Sequence, residues 1–149
     1  MRSLICRTLA GLVAVGVGLG VAAAPAAAAA ETTKFRLTTG SVVANGTYER
    51  VAGPPEQPVP SFRIAGTLVG RSLFRFRCAV LQVARSGPAD GVEWQTFGKH
   101  CGPGRTSFQV QASALFGGGT PPVRLCAGWS ASQAERGRKC ELYRPPALR

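Results

Sequence analysis

CAVLQVARSGPADGVEWQTFGKHC, residues 78–101, opens and closes on cysteine. Within it, CAVLQVAR and GVEWQTF alternate in side-chain character on either side of SGPADG. A period of two places successive side chains on opposite faces of an extended strand. Paired residues of an antiparallel hairpin lie equidistant from its turn. The midpoint of Cys78 and Cys101 falls between Ala89 and Asp90, inside Pro88-Ala89-Asp90-Gly91. Pro early and Gly last is good turn chemistry. The segment therefore reads as a hairpin whose open end carries two facing cysteines.

The other cysteines extend this reading. Cys126 and Cys140 are centred on Gln133, and their surroundings, SASQAERGRK, are polar and lack alternation, so they read as a loop. Four cysteines allow three pairings. Neighbour pairing, Cys78 with Cys101 and Cys126 with Cys140, follows from the two hairpin-like excursions. Each bridge is expected to add about 3 kcal/mol by restricting the unfolded chain. The rival, Cys78 with Cys140 and Trp94 between them, has an immunoglobulin flavour. It lacks the tyrosine expected two positions before the last cysteine, where Arg138 stands.

Upstream, RSLFRFRC continues the alternation. Phe74, Phe76, Cys78 and Val80 share one parity and are expected to face the core. Arg71, Arg75, Arg77 and Arg85 share the other, with Leu73, Ala79, Leu81 and Val83 between them. The plain reading of these arginines is a solvated strand face. The functional reading is an anion-binding stripe, which Arg63 extends onto a neighbouring strand.

The remaining segments also read as strands. Asn45-Gly46, between Val42-Val43 and Thr47-Tyr48, signals a type I′ hairpin turn. GPPEQPVPS is an extended connector, because proline removes ladder donors. SFRIAGTLVG, RTSFQVQASALF, VRLCAGW and KCELYR supply further strands, with GGGTPP as a breaker. No segment after residue 30 holds a capped helical period. The expected fold is all-β: an antiparallel β-sandwich, immunoglobulin-like or a small barrel, with two disulfides.

The N-terminus has the layout of a secretory signal peptide. Residues 1–30 carry Arg2 and Arg7, then an apolar run, then Ala28-Ala29-Ala30. Cleavage there leaves a single domain, residues 31–149. Its formal charge is +9, the +11 of the whole chain less Arg2 and Arg7. It retains four cysteines, and an even count in an exported chain reads as a disulfide framework. The expected localisation is extracellular, with cell-wall association open and no membrane span after cleavage.

Several chemistries lack their residues. G-x-S-x-G, H-E-x-x-H and C-x-x-C are all absent. Seven acids and one histidine leave no evident carboxylate pair or metal set, so no catalytic residue, metal or cofactor is expected. The faintest constellation is Glu93 with His100 and nearby arginines, reminiscent of acid–base sites in residue type only. A basic, exported, non-catalytic chain points to anionic partners, such as a cell-wall phosphate polymer or an acidic glycan. Arginine suits both, because its planar fork meets phosphate and carboxylate in two bonds. A compositional bias toward Arg, Ala, Gly and Pro explains the charge equally simply. The alternative is a secreted protein as partner. Its contact would be the cystine-tethered loop CAGWSASQAERGRKC, with Trp129, Arg136, Arg138 and Lys139 as anchors, in the manner of a protease inhibitor.

The alanine-rich leader, CAVLQV…W…C and VRLCAGW…GRKC give the chain a further likeness. Over roughly its second half, it resembles the small two-disulfide, strand-rich proteins exported by high-GC Gram-positive bacteria. The resemblance implies secretion, cystines and a β fold, and no activity. The strands and reactive loop of the secreted subtilisin inhibitors do not align with it.

Overall fold

The computed structural model describes residues 31–51, 60–71, 77–115 and 118–146. Eight strands form two four-stranded antiparallel sheets packed as a sandwich. They are β1 (Thr32–Thr39), β2 (Val42–Val51), β3 (Ser61–Gly70), β4 (Cys78–Ser86), β5 (Val92–Cys101), β6 (Gly104–Ser113), β7 (Val123–Gly128) and β8 (Cys140–Tyr143). The first sheet has the order β1-β2-β3-β6 and the second β5-β4-β7-β8. Neither closes into a barrel. The chain changes sheets between β5 and β6 through Gly102-Pro103 alone. Gly102 (φ 80°) and Gly104 (φ 121°) supply the backbone angles that this corner demands.

The expected hairpin and both disulfides are present. Cys78 pairs with Cys101 across β4 and β5, and Cys126 with Cys140 across β7 and β8. Each bridge joins directly opposite residues of neighbouring strands in one sheet, with Cα atoms 4.0 Å apart. The immunoglobulin-like pairing between sheets is therefore excluded. The turn lies half a residue from the expected centre. A bulge between Leu81 and Gln82 leaves Phe97 without a partner and moves the centre onto Ala89, whose φ is 51°. The bulge also switches faces. Trp94 and Thr96 pair with the outward residues of β4, whereas Gly98 and His100 pair with its inward ones.

The parity expected for β4 is inverted. Ala79, Leu81 and Val83 lie in the main core, while Val80 belongs to a smaller cluster with Cys126 and Ala134 on the outer face. Alternation alone could not separate the faces, because both are buried from Cys78 to Ala84. A central strand covered on both sides reads as a continuous apolar run. The outer cover is a short helix, α1 (Ala131–Glu135), within a segment read from sequence as a loop. Ser130 caps it, its hydroxyl accepting from the Gln133 amide at 3.2 Å. Five residues are too few to register as a helical period. Phe74, Arg75 and Phe76 of the alternating run, and residues 52–59 of the connector, lie outside the described residues, as do residues 1–30, the expected signal peptide.

Asn45-Gly46 is not a turn. β2 runs straight through it, and the β1–β2 hairpin turns at Gly40-Ser41, with Gly40 at φ 57°. Close packing explains the glycine instead. Gly46 pairs with Phe35 on one side and Gly66 on the other, and Gly66 pairs with Phe108. The row Phe35–Gly46–Gly66–Phe108 thus crosses the whole first sheet on its inner face. The two rings lean over the two glycines, with centroids 6.4 Å apart. Phe97 meets Phe108 edge-on at 5.6 Å, and Tyr143 stacks on Phe35 at 5.2 Å, so the second sheet keys into this notch. Tyr48 sits beside it, its hydroxyl donating to the Pro121 carbonyl at 3.0 Å. Burial, and then the neighbouring Tyr143, push its pKa well above the ordinary tyrosine value.

Candidate functional site

Register sorts the charges toward the two ends of the sandwich. One end is formed by the Gly40-Ser41 turn, the last residues of β3, β5 and β7, and the first of β4 and β6. Arg71 follows β3, Arg77 precedes β4, Lys99 lies near the end of β5, and Arg105 near the start of β6. Arg138 and Lys139 reach the same end because the β7–β8 excursion folds back, with the Ala127 amide donating to the Lys139 carbonyl at 2.9 Å. Six cations therefore gather at this end. All but one of the acids among the described residues sit elsewhere. Glu31, Glu49, Asp90 and Glu93 belong to the opposite end, and Glu135 lies over the middle of the second sheet. The exception, Glu141, lies at the cationic end two residues from Lys139, where its carboxylate accepts from the Thr38 amide.

A shallow pocket of about 270 Å³ opens at the cationic end. It is lined by Arg77, Ala127, Gly128, Trp129, Gln133, Arg138 and Lys139. Trp129 is 60% exposed. The Arg77 guanidinium lies over its ring, 5.0 Å from the centroid. The Trp129 amide donates to Gln133 Oε1 at 2.7 Å, which ties the ring's backbone to the first turn of α1. Arg77 also approaches the tip of the β1–β2 hairpin, since a side chain built at Gly40 would come within 3.3 Å of its Nη1.

The pocket thus joins one member of the expected arginine stripe, Arg77, to three members of the expected recognition loop, Trp129, Arg138 and Lys139. The rest of the stripe is dispersed. Arg85 is at the far end of β4, about 26 Å away at the usual strand rise. Arg63 lies on the outer face of the first sheet, 3.8 Å from the Glu49 carboxylate. Arg71 is exposed at the cationic end, outside the pocket lining. Arg75 lies outside the described residues. Arg136 follows α1 and does not line the pocket.

The loop itself is a cover over the second sheet. Beneath it lies a polar network that sequence reading missed. Arg124 Nε donates to Gln82 Oε1 at 2.8 Å, and its guanidinium stacks on Trp94, 4.0 Å from the ring centroid. Gln82 Nε2 donates to Thr96 Oγ1 at 3.0 Å. Burial lowers the Arg124 pKa from its ordinary value. The one signal for this network was a glutamine inside the apolar run CAVLQVA. A loop packed down by a capped helix differs from the extended loop that an inhibitor offers a protease.

Glu93 and His100 do not meet. Seven positions separate them on β5, more than about 20 Å. His100 faces inward, its Nδ1 2.8 Å from Thr106 Oγ1, and packs against Gly70. Among the described residues, no group of three or more His, Cys, Asp or Glu could hold a metal ion. No helix there is long and apolar enough to cross a membrane. Comparison with family models, curated proteins and solved structures finds no match to this chain.

Proposed function

We propose that this protein is an exported, non-catalytic binding module for anionic extracellular or cell-wall polymers, and that the cationic end of the sandwich is its binding surface. One observation carries the reading: six cations from five separate segments converge on one end, where Glu141 is the one described carboxylate, whereas Lys34, Arg50, Arg85 and Arg144 share the opposite end with four acids. Compositional enrichment in arginine would scatter charge without regard to the fold. Segregation produces a field of one sign over one surface, which attracts polyanions and speeds their encounter. The two disulfides and the leader-like N-terminus support export, and with it membership of the exported two-disulfide β-proteins. The protein-recognition alternative has less support, because the loop that would serve it is packed against the second sheet.

The test is titration with linear polyphosphate across a salt series. Three or four engaged cations give a slope of log affinity against log salt of about −2 to −3, by analogy with single-stranded polyanions. Arg138→Ala with Lys139→Ala should lower affinity and flatten that slope. Arg63→Ala with Arg85→Ala, far from the pocket, should change neither. Equal effects of the two pairs, or affinity indifferent to salt, would sink the proposal.

A further inference from the structure

We infer that the pocket at Trp129 takes an unpaired nucleobase, so that the preferred ligand of the cationic end is single-stranded nucleic acid. This rests on the anion-binding reading above and narrows it. A large aromatic side chain loses hydrophobic stabilisation when it is left in water. Trp129 is left 60% exposed, although Arg77 lies over its ring. The backbone that carries the ring is also fixed. Its amide is held by Gln133, α1 is capped by Ser130, and the Cys126–Cys140 bridge closes the excursion. An exposed indole on a fixed backbone beside cations is the arrangement that binds single strands: bases stack on the ring while the cations follow the phosphates.

Hydrogen-bond chemistry separates this ligand from an acidic glycan. Sugar hydroxyls donate as well as accept, so side-chain acceptors in the wall favour a sugar. Arg77, Arg138 and Lys139 only donate. The single side-chain amide oxygen in the lining, Gln133 Oε1, gives one of its two lone pairs to the Trp129 amide. The side chains of this pocket therefore offer donors and a π face. Phosphate oxygens and a planar base match that combination, whereas a hydroxyl-rich ring finds few side-chain acceptors in it.

The test compares an oligothymidylate of about ten nucleotides with an abasic strand of the same length and phosphate count, followed by fluorescence anisotropy at low salt. The native protein should bind the thymidylate more tightly by about 5- to 100-fold, the contribution of one stacked base. Trp129→Ala should bring thymidylate down to the abasic affinity, and Trp129→Phe should restore part of the difference. Far-UV circular dichroism of the variants confirms that they fold. Equal binding of both strands by the native protein overturns this inference and leaves the anion reading standing. So does a preference that survives Trp129→Ala, or stronger binding of polygalacturonate than of thymidylate. Failure of both strands and of polyphosphate to bind overturns the anion reading, and this inference with it.

Discussion

Replacing Gly66 with alanine tests the transverse row that joins the two sheets. A methyl at Gly66 would run into the Asn45 carbonyl oxygen. It would also stand 2.6 Å from Gly46 Cα and 2.7 Å from Phe108 Cζ. Two of these three atoms are backbone on the neighbouring strand, so no rotamer change relieves them. Overpacking costs about 1–3 kcal/mol where side chains can move. Here β2 must shift or the Phe108 ring must leave its notch, and the expected cost is about 3 kcal/mol. For a domain of this size that lowers the midpoint of thermal unfolding by about 10–15 °C. Gly119→Ala is the control, since its nearest neighbour is 3.8 Å away and its φ is not positive. It should stay within about ±0.5 kcal/mol. Phe108→Leu in the Gly66→Ala background should recover only part of the loss, because it frees one contact of the three, and the two changes should be non-additive. The assay is thermal unfolding of the oxidised protein, with urea unfolding to check that m is unchanged. A midpoint within about 3 °C of the native value for Gly66→Ala would refute the register. It would reopen Asn45-Gly46 as a turn, in which case Asn45→Ala should be the costly change.

Further outcomes follow from other parts of the structure. The Tyr48 pKa is raised in the folded state, so above the ordinary tyrosine pKa of about 10 the unfolded chain loses a proton that the native one keeps. That contribution to stability is complete below pH 10 and falls as pH rises beyond it. Urea unfolding from pH 8 to 11 should show the decline, and Tyr48→Phe should flatten it while costing about 1–2 kcal/mol at neutral pH through the bond lost to the Pro121 carbonyl. Cys126→Ser with Cys140→Ser opens a bridge of sequence separation 14 and should cost about 3 kcal/mol in equilibrium unfolding. Arg124→Ala removes the stack on Trp94 and leaves Gln82 Oε1 without its donor, for about 2 kcal/mol. A shift in Trp94 emission should accompany that loss.

The strands, the hairpin at Pro88–Asp90 and both disulfide pairings were legible in the linear chain. They depend on contacts close in sequence: a turn, the two alternating arms beside it, and cysteines equidistant from its centre. All-β architecture follows from the same local signals repeated along the chain. Three matters depended on contacts distant in sequence, and tertiary structure alone settled them. The first is which face of β4 is the core, since a strand buried on both sides carries no alternation to tell them apart. The second is the meaning of Asn45-Gly46. That pair satisfies the rule for a turn, but Gly46 lies in mid-strand because Phe35 and Gly66, from two other strands, need the space above it. The third is the site. Arg77, Trp129, Arg138 and Lys139 span more than sixty positions of sequence, and the stripe to which Arg77 belonged by alternation is scattered over the two sheets. Charge acts through space, so the gathering of cations at one end of the sandwich was set by strand register and by the return of the capped excursion between β7 and β8, neither of which is written in any local stretch of the chain.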